Sequence, residues 1–173
     1  KFEMTRVREG EKEADLPVWK HHLLCDESGN YPALLNHWET KVFEIETKRE
    51  GFAFWYSNPQ YTGQSSLGIA YVEAEQYKIV RPDFLFFAEQ DGKMVVDLVD
   101  PHSLHLADAL PKLEGLALYA EHHSDAYRRI ESVAEVKGKL RVLDLKRQDV
   151  QDAVATAENA ETLFSSGLAD DYQ

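Results

Sequence analysis

The 173-residue sequence predicts a single domain of mixed α/β (α+β) class, in which helices flank a mixed central sheet. Apolar residues recur with helical spacing in three stretches, near residues 32–45, 108–120 and 149–164. Short apolar runs typical of β-strands separate these helices. Two dipeptides, Asp91-Gly92 and Lys137-Gly138, stand where hairpin turns are expected. The predicted order is therefore helix, three or four strands, helix, one or two strands, helix.

The predicted elements divide the chain into three parts. Residues 1–30 are expected to form a charged arm or linker, residues 31–146 the core, and residues 147–173 a C-terminal helix with a frayed tail. The first core helix is expected to begin near Pro32 and to end at Gly51. Strands are expected at residues 52–56, 67–73, 77–88 and 94–100, before a helix with Asp108 as its N-cap. Residues 127–136 and 140–145 are expected to form a second hairpin, and residues 149–164 the last helix.

The composition limits the possible functions. The single cysteine, Cys25, excludes an internal disulfide and a cysteine-rich zinc site, and it fits a reducing compartment. No apolar run approaches the roughly 18 residues of a membrane span, and no signal peptide is visible, so we expect a cytoplasmic protein without a membrane partner. No phosphate-binding glycine loop, nucleophile elbow or CxxC motif supports an NTPase, an α/β-hydrolase or a zinc finger. The net charge of −12 excludes DNA binding through bulk charge alone.

The predicted hairpin about Asp91-Gly92 brings chemically interesting side chains together. A two-residue turn pairs Gln90 with Lys93, and the same register places Asp83 opposite Asp100. Opposed residues share a face of the sheet, with β-carbons about 4.5–5.5 Å apart, and so does a residue two positions further on. We therefore expect Asp83, Asp100 and His102 to converge, and Asp97 to lie on the opposite face.

Two carboxylates that face each other repel unless a cation lies between them. Oxygen ligands of this kind are preferred by Mg²⁺ and Mn²⁺, which can polarise a phosphoryl oxygen and activate a water molecule. His102 could bind the metal, orient the water or act as a general base, and Lys112 on the next helix could offset phosphate charge. The alternative interpretation is that Asp83 and Asp100 simply end two strands in solvent.

These residues resemble the PD-(D/E)XK nuclease signature, with Pro82-Asp83 and Asp100-Pro101-His102 as its two half-motifs. Glu39 in the first helix, the aromatic run of residues 51–59 and the helix containing DALPKLEGLALYA extend the resemblance. The stretch from Asn36 to Leu145 is similar to the nuclease-like C-terminal domain of type III restriction-type, DEAD/DEAH-box helicases. The resemblance implies a restriction-endonuclease-like αβββαβ core.

The resemblance also implies a function. Asp83, Asp100 and Glu39 would bind Mg²⁺ or Mn²⁺, while His102 and Lys112 would act on water and phosphate during DNA hydrolysis. The expected partners are DNA and a helicase/ATPase domain of the same parent chain, in a protein of phage defence. Histidine stands where the family has lysine, so an inactive nuclease-fold module that has a structural or DNA-guiding role in a helicase is the alternative.

Two alignments of the second half-motif compete. In one, Asp97 is the acidic residue and valine replaces the lysine; in the other, Asp100 is the acidic residue and His102 replaces it. The hairpin register favours Asp100, whereas a bulge at Pro82 would favour Asp97. The loop of residues 57–66 contains Asn58, Gln60, Tyr61 and Gln64, which could line a DNA groove or simply form a connection. The basic residues available for a phosphate patch are Arg81, Lys93, Lys112, Arg128 and Arg129.

Overall fold

The structure, a computed structural model, describes residues 6–9 and 12–173. Part of the predicted N-terminal arm, residues 1–5 and 10–11, lies outside the described residues. The strands are β1 Arg6–Glu9, β2 Lys12–Asp15, β3 Val18–Lys20, β4 Asn30–Pro32, β5 Phe52–Ser57, β6 Ile69–Glu73, β7 Gln76–Val80, β8 Phe84–Gln90, β9 Lys93–Pro101, β10 Arg129–Val136, β11 Lys139–Asp144 and β12 Asp170–Asp171. The helices are α1 His37–Glu46, α2 Ala109–His123, α3 Gln148–Thr156 and α4 Ala160–Ser165.

A six-stranded mixed sheet forms the centre of the molecule, in the order β12-β11-β10-β9-β8-β5. The β9–β10 pair is parallel and the other neighbours are antiparallel. Helix α1 covers one face, where Val42 packs with Trp55, Phe84 and Val99. Helices α2, α3 and α4 cover the other face. The predicted class, a mixed central sheet flanked by helices, is confirmed.

The hairpin of β8 and β9 has the predicted register. Gln90 pairs with Lys93, Phe86 with Asp97 and Phe84 with Val99. Asp91 and Gly92 both have positive φ, 53° and 72°, as a two-residue turn of this twist requires. Residues of β9 therefore alternate between the α1 face and the α2 face, and Asp97 and Asp100 lie on opposite faces.

Helix α1 begins later than predicted because a capping box fixes its first turn. The Asn36 side chain accepts hydrogen bonds from the backbone N–H groups of Trp38 and Glu39, and the Glu39 side chain accepts one from the N–H of Asn36. These bonds satisfy N–H groups that a helix start otherwise leaves free. Pro32 belongs instead to strand β4.

The strand predicted over residues 77–88 is wrong, because the chain breaks at Pro82. Its first part, β7, pairs with β6 in a separate two-stranded sheet, and only its second part, β8, joins the central sheet. Ile69, Tyr71 and Val80 of the separate hairpin pack against helix α2. Proline has no N–H to give to a ladder, so it separates the two strands.

The C-terminal segment also differs from the prediction. The single helix expected over residues 149–164 is two helices, because Asn159 caps a new helix through a hydrogen bond from the N–H of Thr162. The tail is not frayed: Ala169 and Tyr172 are buried, and β12 pairs with β11. The end of the chain thus completes the edge of the central sheet.

The segment after residue 17 is part of the core rather than an arm. Trp19 and Tyr31 of the β3–β4 hairpin pack against the α1 side of the sheet. His22 forms a parallel bridge with Trp55, which extends the sheet edge at β5. Among the described residues, no helix is both long and apolar enough to cross a membrane.

Candidate functional site

Asp83 and Asp100 lie side by side where β8 begins and β9 ends. The backbone N–H of Asp83 donates to Oδ1 of Asp100 at 3.1 Å. The Gln60 side-chain amide donates to Oδ1 of Asp83, also at 3.1 Å. Asp100 is 5% exposed and Asp83 is half-buried. The predicted convergence of the two aspartates is confirmed, on the face of the sheet that α2 covers.

The two carboxylates strongly disfavour full ionisation. Burial, followed by the charges of Asp100 and Glu39, raises the pKa of Asp83 to about 8, and the charge of Lys112 opposes the rise. Charged groups that are buried beside a like charge retain a proton or attract a cation. At neutral pH the pair therefore holds a proton that a divalent cation could replace.

Glu39 lies near the two aspartates, but its side chain caps helix α1. Its carboxylate accepts the Asn36 N–H at 2.6 Å as part of the α1 capping box. Burial raises the pKa of Glu39, and the hydrogen bond from Asn36 opposes that rise. The charge of Glu39 acts on Asp83, while its Oε2 is held by the Asn36 N–H at the start of α1.

His102 is on the same face as Asp100, as predicted, with Nδ1 at 3.4 Å from Oδ2 of Asp100. The same nitrogen is 3.1 Å from Oγ of the fully buried Ser132. The ring packs edge-on against Phe164 of α4, with the ring centroids 5.8 Å apart. Its second nitrogen, Nε2, is buried and has no hydrogen-bond partner. In this arrangement the ring is fixed by the core and does not present a free nitrogen to solvent.

Lys112 of helix α2 is the cation whose charge acts on Asp83. Its Nζ is 2.8 Å from Oδ2 of Asp108, one turn earlier in the chain. Its charge still lowers the pKa of Asp83. Asp108 is the N-cap of α2 by position but makes no capping hydrogen bond with its side chain, so its carboxylate is available to Lys112.

Asp97 is turned away from this site, as predicted. It is 1% exposed and accepts hydrogen bonds from Arg128 and Arg129 on the α1 face. Adjacent residues of a strand point to opposite faces, but Arg128 precedes β10, so both arginines can reach the same aspartate. Both arginines are occupied by carboxylates, which removes them from a phosphate patch.

The two aspartates offer an oxygen-rich but small ligand set. Within residues 15–173, whose side chains the structure describes, no group of three or more His, Cys, Asp or Glu side chains is close enough to hold a metal ion. The predicted three-carboxylate set of Asp83, Asp100 and Glu39 is therefore not assembled, and Oε2 of Glu39 instead accepts the Asn36 N–H at the start of α1. Mg²⁺ commonly retains several water ligands and binds through one or two carboxylates, so the pair alone fits such an ion.

Sequence reasoning missed two residues of this site. Gln60 was predicted only to line a DNA groove or to form part of a connection, although its amide reaches Asp83. Ser132 gave no signal, because its place beside Asp100 depends on the parallel β9–β10 register. Parallel strands such as β9 and β10 are joined by a helical crossover, so no local turn in the sequence fixes their register.

Comparison with known proteins places the chain in a family. The model of the YagJ family matches residues 20–173, and the chain belongs to that family. It is 99% identical over 173 residues to Protein YagJ of Escherichia coli (strain K12), with 100% of this chain and 71% of that protein covered. No solved structure matches.

These comparisons correct the predicted parent protein. The part of the Escherichia coli relative outside the match is less than half as long as this chain. A helicase/ATPase domain needs at least one further domain of about 100–200 residues, so that remainder is too short for one. The prediction of a helicase/ATPase partner domain in the same chain is wrong.

Proposed function

We propose that the protein is a nuclease that hydrolyses DNA phosphodiester bonds with Mg²⁺ or Mn²⁺ held by Asp83 and Asp100. The observation that carries the proposal is the pair itself: two carboxylates, opposed across a hairpin and largely shielded from water, with a pKa of about 8 at Asp83. Such an arrangement is costly for the fold, and strongly perturbed groups of this kind concentrate at functional sites.

The metal would supply the chemistry that the side chains lack. A bound divalent ion polarises a phosphoryl oxygen and lowers the pKa of a water ligand. Oδ1 of each aspartate accepts from an N–H donor, and Oδ2 of Asp100 also lies 3.4 Å from Nδ1 of His102, so Oδ2 of Asp83 is the oxygen most open to the cation. The ion would also reduce the repulsion between DNA and a chain of net charge −12.

Lys112 is the residue that would meet the phosphate. It is half-buried, its charge reaches Asp83, and its partner Asp108 is a partly exposed residue from which it can exchange. Arg81, two residues before Asp83, donates to Oγ1 of Thr62 at 2.9 Å and is the cation nearest to Asp83 in the sequence. The role of His102 is limited to positioning Asp100, because its ring is enclosed by Ser132 and Phe164.

The proposal is tested by nicking of supercoiled plasmid DNA with Mn²⁺ or Mg²⁺ and with EDTA. Asp83→Ala and Asp100→Ala should each lower nicking by at least about 100-fold, since one of two metal carboxylates is lost. Asp125→Ala, which changes an exposed aspartate, is the matched control. Equal nicking by all four proteins would assign the activity to a contaminant and end the proposal.

A module of nuclease fold without catalysis is the second candidate, and the enclosed His102 favours it. The buried Nε2 and the absence of lysine at this position leave the metal pair without an adjacent free base. This candidate predicts that Mn²⁺ binds to the protein but that no plasmid is nicked. The nicking assay separates the two candidates, once isothermal titration has shown that the protein used in it binds Mn²⁺.

A further inference from the structure

We infer that Gln60 is a positioning residue of the metal site, which holds the Asp83 carboxylate so that its Oδ2 faces the cation. The inference rests on the proposed function, because it assumes a cation at Asp83 and Asp100. Residues 58–67 connect β5 to β6, and we call them the Gln60 loop. The inference gives this loop a role in the metal site.

The Gln60 side chain is aimed at Asp83 by its own contacts. Its Nε2 lies 3.1 Å from Oδ1 of Asp83, 3.2 Å from the carbonyl oxygen of Arg81 and 3.3 Å from that of Asn58. All three acceptors are oxygen atoms, which fixes the amide with its nitrogen toward the aspartate. Gln60 itself is exposed, so this orientation comes from hydrogen bonds rather than from packing.

Asn58 holds the Gln60 loop against the site. Its side chain is 3% exposed, donates to the carbonyls of Pro82 at 2.8 Å and Leu67 at 2.9 Å, and accepts the Leu67 N–H. Its backbone N–H donates to the carbonyl of Asp83 at 2.8 Å. One buried amide thus ties both ends of the loop to the residues that precede β8.

The two aspartates are oriented in the same way. Oδ1 of Asp100 accepts the Asp83 N–H, and Oδ1 of Asp83 accepts the Gln60 amide, so each carboxylate is held through its Oδ1. Oδ2 of Asp100 also lies 3.4 Å from Nδ1 of His102, which leaves Oδ2 of Asp83 as the oxygen that Gln60 turns toward the cation. Outer hydrogen bonds of this kind orient metal ligands and strengthen binding, and their loss typically weakens metal affinity about 10- to 100-fold.

The test compares Gln60→Met with Gln64→Met. Methionine retains the length of the side chain but cannot donate a hydrogen bond, and Gln64 is an exposed residue of the same loop. We expect Gln60→Met to weaken Mn²⁺ binding, measured by isothermal titration, about 10- to 100-fold. Thermal unfolding of the metal-free protein should be unchanged in both variants, and saturating Mn²⁺ should restore wild-type nicking to Gln60→Met.

Each other outcome overturns the inference in a recognisable way. If the wild type binds Mn²⁺ and Gln60→Met binds it equally well, Gln60 has no positioning role and the proposed metal site stands. If Gln60→Met unfolds at a lower temperature and nicking does not recover at saturating Mn²⁺, the residue is structural. If the wild type does not bind Mn²⁺, the proposed function fails together with the inference.

Discussion

Asp83 is held in an environment that opposes its charge, so removing that charge should stabilise the metal-free protein. Burial and the neighbouring Asp100 carboxylate raise its pKa in the folded state to about 8, above the usual value near 4 in the unfolded chain. The folded protein therefore binds more protons between these values, and its stability falls as the pH rises from about 4 to about 8. Asp83→Asn should be more stable than the wild type, and the difference should grow across this pH window.

Urea denaturation in EDTA at pH 5 and pH 8 measures this effect. The wild type should lose stability between the two pH values, and Asp83→Asn should lose less. Asp125→Asn, at an exposed position, is the control and should follow the wild type. A variant that is less stable than the wild type at pH 8 would show that Asp83 is ionised and well paired in the folded protein, contrary to our description of the site.

At the scale of elements, helix α2 and strand β6 approach each other through a glycine. A β-carbon at Gly115 would lie 2.5 Å from the β-carbon of Tyr71, which is closer than such atoms can come. Alanine in a helix is favoured over glycine by about 1 kcal/mol, whereas overpacking of a core typically costs about 1–3 kcal/mol. We expect the clash to outweigh the propensity, so Gly115→Ala should destabilise the protein by about 1 kcal/mol or more.

Chemical denaturation of Gly115→Ala beside Glu114→Ala checks this prediction, since Glu114 is an exposed neighbour on the same helix. The cost should persist in a Tyr71→Ala background, because alanine retains the β-carbon that clashes. A stabilised Gly115→Ala protein would mean that β6 and β7 move away from α2 at little cost.

The elements show which parts of this fold a sequence can predict. The register of β8 and β9 follows from a two-residue turn, and Asp83 therefore meets Asp100 as expected. The parallel pairing of β9 with β10 depends on how α2 packs, so the place of Ser132 beside His102 could not be predicted. The burial of Tyr172 likewise depends on a distant partner, Glu46, whose carboxylate accepts its hydroxyl hydrogen bond at 2.5 Å.

At the scale of the whole molecule, the central sheet separates two clusters of buried charge. The carboxylates of one cluster are largely uncompensated, and those of the other are paired with arginines. On the α2 face, Asp83 and Asp100 lie beside each other, and the charge of Lys112 offsets them in part. On the α1 face, Asp97 and Glu46 are matched by Arg128 and Arg129. The same strand, β9, contributes an aspartate to each cluster, so the two can be compared within one protein.

The matched cluster should respond to a lost charge in the opposite direction. Burial alone would raise the pKa of Asp97, but hydrogen bonds from Arg128 and Arg129 outweigh it and lower the pKa. Its stabilising contribution is therefore present above the usual aspartate range and is lost as the pH falls below it. Asp97→Asn leaves the partly buried Arg128 without its carboxylate, while Arg129 keeps Glu46 and Glu131, and we expect a loss of about 3 kcal/mol at pH 7.

Urea unfolding at pH 7 of the wild type, Asp83→Asn, Asp97→Asn and the double variant tests this contrast. The midpoint should rise for Asp83→Asn and fall for Asp97→Asn, with similar slopes, since neither change alters the surface exposed on unfolding. The aspartates share no hydrogen-bond partner, so the two effects should add to within about 0.5 kcal/mol. If the midpoints of both single variants shift in the same direction, the charges at Asp83 and Asp97 do not act differently on stability. The repulsion between Asp83 and Asp100 would then give no physical reason for a cation there.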